Sequence, residues 1–285
     1  MILKRRELLN VGIGTMAGFL FSRFGTRPSY AAKNSGEPLN WKQPKKLNIE
    51  QTAEIAYQGY KDRSLGCCHG TFKGLVKPML DQMGSPYDSF PIEIMRAGKS
   101  GVADSGSLCG SLLGAAYAFH LFFDAKIADE MQKELHRWYS QSMLPKYIPP
   151  VSNFKDYAVP QTMSILPECH ASVDIWIKAT GFAKETNERR ERCDRITADV
   201  AIKAAEIWNA QLEGRSFSQI PYTEKQVKCG KCHIKGLTPD KIDPKTDEGK
   251  YIREVSTNMS CPSCHPGSKK NHPKSKYKEG KKTKI

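Results

Sequence analysis

"KETNERRERCDRITADVAIKAAEIWNAQLEG", residues 184–214, is the longest stretch of the chain in which apolar residues recur at helical spacing. Cys193, Ile196, Val200, Ile207 and Leu212 fall on one face, and Gly214 stands where a helix would close. A helix with one apolar stripe buries it against other helices, and the segments upstream supply them. "ASVDIWIKAT" ends at Gly181, a C-cap position, and "AKIADEMQKELHRWYSQSM" carries Ile127, Met131, Leu135 and Trp138 on one stripe. A Gly/Ser-rich passage, "AGKSGVADSGSLCGSLLGAAYAFHLFF", predicts a buried helix from near Ser105, whose small residues permit close approach. "IEQTAEIAYQGYKDR" from Ile49 and "TFKGLVKPMLDQM" from Thr71 are two more helices. "LPKYIPPVSNFKDYAVPQTM", with four prolines, is a connector, and residues 32–48 are a polar, extended lead-in. The expected fold is mainly α: a helical, bundle-like domain over residues 32–216.

After Phe217 the texture changes to Lys, Pro, Asp, Thr and Gly, with too few aliphatic residues for a core of its own. Residues 217–285 therefore read as a small, irregular domain that needs a staple. "CGKCH" (229–233) and "CPSCH" (261–265) stand where the staple belongs. As a zinc ribbon, Cys229, Cys232, Cys261 and Cys264 have the right bite for a tetrahedral site, but His233 and His265 are left without a role. Disulfides leave them equally idle. Covalent haem uses every residue: each cysteine pair forms thioethers to one haem c, and the adjacent histidine becomes the proximal iron ligand. Two haems would also provide the apolar surface that the segment lacks.

The amino terminus bears on the compartment. Lys4-Arg5-Arg6, an apolar run from Leu8 to Phe21 and small residues around Ala31 make residues 1–31 an export signal, twin-arginine-like in its paired arginines. The run is shorter than the roughly twenty residues a spanning helix needs, so no stable membrane insertion is expected. Periplasmic placement follows, and it agrees with haem c attachment outside the cytoplasm. The chain has a net charge of +14, or +10 without residues 1–31, and eight lysines sit in the last seventeen residues. No recognition helix or second basic face accompanies that run, so it reads as a solvated tail rather than a nucleic-acid site, while the lysines flanking the haem motifs suit acidic redox partner proteins.

A second axial ligand for each haem iron has to come from elsewhere. His272, seven residues beyond His265, is the first candidate distal ligand, followed by His69 and His170, each beside a cysteine. His120 reads as a packed histidine and His136 as a solvated one. Cys67, Cys68, Cys109, Cys169 and Cys193 remain in the helical domain. They are either free thiols and disulfides, or Cys68, Cys109, Cys169 and Cys193 converge as ligands of an iron–sulfur cluster.

The combination of "GCCHGTF", "GSLCGSLLGAA", "ECHASV" and "RCDRITADVA" with two Cys-x-x-Cys-His motifs resembles the split-Soret cytochromes c of sulfate-reducing bacteria. The first four stretches also resemble the wider C_GCAxxG_C_C family, most members of which lack the haem tail. The resemblance implies a homodimer with two haem c per chain, bis-histidine ligation with one histidine possible from the partner subunit, and an iron–sulfur site on Cys68, Cys109, Cys169 and Cys193. The adjacent pair Cys67-Cys68 leaves open which of the two fills the family position. The function read from the sequence is electron transfer between redox partners, with no catalytic residues assigned. The alternatives are an oxidoreductase with an open iron site that reduces a small molecule, and a zinc-ribbon structural protein.

Overall fold

The computed structural model describes residues 39–150, 158–224, 226 and 227. Residues 1–31, expected to be an export signal, and both Cys-x-x-Cys-His motifs, with His272, lie outside the described residues. The described residues from Trp41 onward form one structural unit.

Six helices build it: α1 (Ile49–Lys61), α2 (Gly66–Met83), α3 (Gly110–Phe122), α4 (Ala125–Gln141), α5 (Cys169–Thr180) and α6 (Asn187–Leu212). Local chemistry sets several of the ends. Asn48 Oδ1 accepts from the Gln51 amide at 2.8 Å and starts α1. Thr186 Oγ1 accepts from the Arg189 amide at 3.3 Å and starts α6. Gly181, at φ 76°, ends α5 in the left-handed cap its position predicted.

Helix α6 runs through the centre. Its Ile196, Val200, Ala204, Ile207 and Trp208 are buried, and Phe119, Phe122 and Phe123 surround the Trp208 ring at centroid distances of 6.4, 5.3 and 4.8 Å. The stripe does not reach Leu212, which is 38% exposed. Asn209 stands near the end of the buried face. Its side-chain amide exchanges two 2.8 Å hydrogen bonds with the backbone of Leu47, which docks the lead-in. The lead-in's Trp41 packs edge-on against Tyr87, Phe90 and Phe122.

Where α1 meets α6 the contact is ionic. Glu191 accepts from Tyr57 and Lys61 and pairs with Arg195 at 2.9 Å, while Asp194 takes both Lys61 and Arg63. These carboxylates are buried, and each has more than one partner, which is what keeps a buried charge tolerable.

Two expectations change. The helix expected near Ser105 starts at Gly110, because the preceding passage folds as a left-handed turn. The proline-rich connector, expected without regular structure, is pinned at both ends by a short antiparallel ribbon, β1 (Met143–Leu144) with β2 (Thr162–Met163), in which Met143 pairs with Met163. Among the described residues no helix is long and apolar enough to cross a membrane.

Beyond α6 the chain reverses at Gly214, at φ 66°, and residues 218–222 lie over α4. The anchor is a buried pair, Arg137 on Glu134 at 2.7 Å. The other Glu134 oxygen accepts the Gln219 and Ile220 amides at 2.9 and 3.0 Å. Arg137 also stacks over the Tyr222 ring at 4.9 Å.

Candidate metal centre

Helix α2 begins earlier than its apolar pattern suggested, so "GCCHG" is its first turn and Cys67 sits at its amino-terminal end. Cys109 is the N-cap of α3, and Cys169 is the first residue of α5. Three helix amino termini therefore carry cysteines, and the backbone brings them together. The Cys109 amide donates to Pro167 O at 2.9 Å, the Cys169 amide to Ser107 O at 2.7 Å and the His170 amide to Gly106 O at 2.9 Å, which zips the starts of α3 and α5 side by side. A β-carbon on Gly110 would lie 2.5 Å from Cys67 Sγ, so the start of α3 also abuts the start of α2 with no room for a side chain.

The fourth cysteine comes from α6. Cys193 is partly buried, and Arg189, one turn earlier, directs Nη1 at its sulfur from 3.7 Å. Against the opposite side lies the turn Ser100–Asp104, five successive residues at left-handed φ of 53, 75, 62, 51 and 63°. Each non-glycine residue there costs on the order of 1–2 kcal/mol, so the surrounding packing must impose the shape. The turn has two contacts with the thiols. The Ser100 amide faces Cys67, and a β-carbon on Gly101 would meet Cys169 Cβ at 2.9 Å.

All five cysteines of the helical domain are free, which sets aside the disulfide reading in this structure. Electrostatics separates the two neighbours at the start of α2. Burial pushes the Cys67 thiol up, and Cys109, Cys169 and Cys193 all add to the effect. Cys68 is pushed up to about 12, by burial and then by Cys109 alone. A β-carbon on Gly98 would meet its sulfur at 2.6 Å. Cys67 thus feels the charge of all three of Cys109, Cys169 and Cys193, and Cys68 that of Cys109. The sequence expectation put Cys68 in the first place and left the choice between the two open. Cys169 is also pushed up to about 12, by burial first and then by Cys109 and Cys193, with Arg189 and Arg192 opposing.

The four thiols suit a soft metal centre. Thiolates select iron–sulfur clusters, zinc or copper(I), and metal binding displaces the protons that burial otherwise retains. Helix amino termini and the two arginines favour the anionic charge that results. Among the described residues no three His, Cys, Asp or Glu side chains close to the spacing of a single ion.

Several residues around the thiols were not singled out from the sequence. The Tyr139 hydroxyl lies within hydrogen-bond reach of Cys109 and donates to Ser172 Oγ at 3.0 Å, which also receives Arg192 Nη2 at 2.8 Å. Arg192 is buried, with its Nε unpartnered. Arg189 had a legible signal, its i, i+4 spacing to Cys193; Tyr139 and Ser100 had none, since only the fold brings them near.

The histidines divide clearly. His69 is buried between α1 and α2, with Nδ1 3.2 Å from Gly59 O, while His170 is exposed in the first turn of α5, beside the thiol group. The readings of His120 and His136 reverse. His120 is exposed and lies 3.4 Å from Asp129, whereas His136 has a buried, unpartnered Nε2 and is pushed down to about 4 by burial. His136 is therefore neutral at ordinary pH.

Residues 71–207 match the family described as "Putative redox-active protein (C_GCAxxG_C_C)". That family is built on a four-position cysteine pattern, and the matched span contains Cys109, Cys169 and Cys193. A curated relative, the split-Soret cytochrome c of Desulfovibrio desulfuricans, is 35% identical over 236 residues, covering 82% of this chain and 80% of the relative. A solved structure, described as a novel iron centre in the split-Soret cytochrome c from Desulfovibrio desulfuricans ATCC 27774, superimposes with a TM-score of 0.68 at 34% identity, covering 81% of this chain and 95% of that one. The chain belongs to the split-Soret cytochrome c family.

Proposed function

We propose that this protein is a periplasmic, homodimeric electron carrier with two haem c per chain and an iron–sulfur centre in its helical domain. The observation that carries the haem part is the pair of Cys-x-x-Cys-His motifs in a member of a cytochrome c family. Cys229, Cys232, Cys261 and Cys264 hold the haems, and His233 and His265 are the proximal ligands. His272, His170 and His69 are candidates for the distal positions. Of the two within the described residues, the exposed His170 can reach a haem without disturbing the core, whereas His69 would have to leave the α1–α2 interface. Cys67, Cys109, Cys169 and Cys193 hold the iron–sulfur centre. Bound iron supplies one-electron exchange. The chain supplies the dry thiol pocket, the positive field around it, and lysines beside the haem motifs that attract acidic redox partners.

The test is the covalent mass of the exported protein together with its absorption spectrum, oxidised and dithionite-reduced. Two haems of added mass, low-spin bands and a divided Soret band on reduction are expected. A high-spin component with rapid carbon monoxide binding would favour the open-site oxidoreductase, and a colourless protein at polypeptide mass would return the motifs to zinc.

A further inference from the structure

Four thiols that bind the same centre need not be equivalent, and α6 treats its cysteine differently from the rest. Arg189 Nη1 lies 3.7 Å from Cys193 Sγ, within hydrogen-bond range for sulfur. Hydrogen bonds fix both the guanidinium and the backbone of Arg189. Its Nε donates to Lys184 O at 2.7 Å, in the turn before α6, and its backbone amide is taken by the Thr186 cap at 3.3 Å. The side chain is thus aimed before any metal binds. Nη1 is left to face the sulfur, and among the described residues no carboxylate forms an ion pair with Arg189. The Asp194 carboxylate next along the helix is occupied by Lys61 and Arg63. Helix geometry makes the contact natural, since residues four apart share a face.

We infer that Arg189 is a redox-tuning residue: its fixed positive charge and its N–H···S contact to Cys193 raise the reduction potential of the thiolate centre. When the centre takes up one electron from a reduced haem, it gains one unit of negative charge while that haem iron is oxidised. A cation and a hydrogen bond at a ligand sulfur stabilise the reduced form more than the oxidised form. Cys193, like Cys169, is only partly buried, whereas Cys67 and Cys109 are buried, so the contact falls on one of the two thiols nearer solvent. The inference rests on the proposed iron–sulfur centre.

The test is a mediated redox titration of the full-length, haem-loaded protein, with the cluster read by electron paramagnetic resonance and the haems by visible absorption. Arg189→Gln is expected to lower the cluster midpoint by at least a tenfold change in the reduced-to-oxidised ratio, which is 59 mV for a one-electron couple. The haem midpoints should stay where they are, and Arg189→Lys should recover part of the shift because it keeps the charge. An Arg189→Gln cluster midpoint equal to that of the wild type would overturn the inference. If Arg189→Gln does not retain the cluster, Arg189→Lys decides: a midpoint unchanged from the wild type would again overturn it, and a lowered one would support it. Absence of any non-haem iron signal from the wild type would instead sink the proposed centre itself.

Discussion

Glu134→Ala is expected to cost about 3–5 kcal/mol, because it removes the partner of a buried charge. Glu134 is fully buried and Arg137 is 5% exposed, so the guanidinium would be left in the interior with its nearest anion gone. Its Nε is already unpartnered, which leaves little scope for compensation. The same substitution releases the Gln219 and Ile220 amides, each of which donates to the deleted carboxylate. At about 2–4 °C per kcal/mol for a domain of this size, the thermal midpoint should fall by about 10 °C. The double variant Glu134→Leu/Arg137→Met should recover most of that loss, since replacing both members of a buried pair by apolar groups is often near neutral. Calorimetry of the two variants checks both statements. A single variant within about 1 kcal/mol of the wild type would show that the pair is not what holds residues 218–222 to α4. The effect matters for function because this strap is the described stretch that leads toward Cys229.

Gly110→Ala is the second large effect, and it acts on the thiol group directly. The added β-carbon would lie 2.5 Å from Cys67 Sγ and 3.2 Å from the Cys68 amide, and would press on the Gly98 carbonyl. Backbone on two sides cannot rotate away, so α2 and α3 must separate. Overpacking of this kind costs about 1–3 kcal/mol or more. Loss of non-haem iron should accompany the fall in stability, because Cys67 is the thiol displaced. Gly84→Ala is the control. It places alanine at a left-handed φ of 67°, unlike Gly110, but nothing lies within 4 Å of the new atom, so it should be mildly destabilising and leave the iron content intact. Iron retained in full by Gly110→Ala would contradict the placement of Cys67.

Periodicity made the helices legible because each had one apolar stripe and a chemically marked end, as with α6 between Thr186 and Gly214 or α5 before Gly181. The pattern misjudged elements whose placement is set by tertiary contact. The first turn of α2 lacks an apolar stripe and is helical because glycine and cysteine pack against α3. Residues 100–104 contain Val102 and Ala103, which by themselves disfavour a left-handed turn, and only the surrounding packing imposes it. The five cysteines were legible as candidates, but the different surroundings of Cys67 and Cys68 were not. Adjacent helical residues point about 100° apart, and which of the two faces the other thiols depends on how α2 is rotated against α3. His120 and His136 were exchanged for a similar reason: His120 sits at the exposed end of an apolar helix, and His136 lies on a charged helix with its Nε2 turned inward.

The central claim is that one chain carries both haem iron and a separate iron centre on Cys67, Cys109, Cys169 and Cys193. Iron and acid-labile sulfide per chain, measured for the wild type, Cys67→Ser and Cys68→Ser, test it most directly. The wild type should contain sulfide and iron beyond the two haem irons its motifs can hold. Cys67→Ser should fall to the haem iron alone, and Cys68→Ser should keep the excess. Iron equal to haem in the wild type, or an excess that survives in Cys67→Ser and vanishes in Cys68→Ser, would contradict the account.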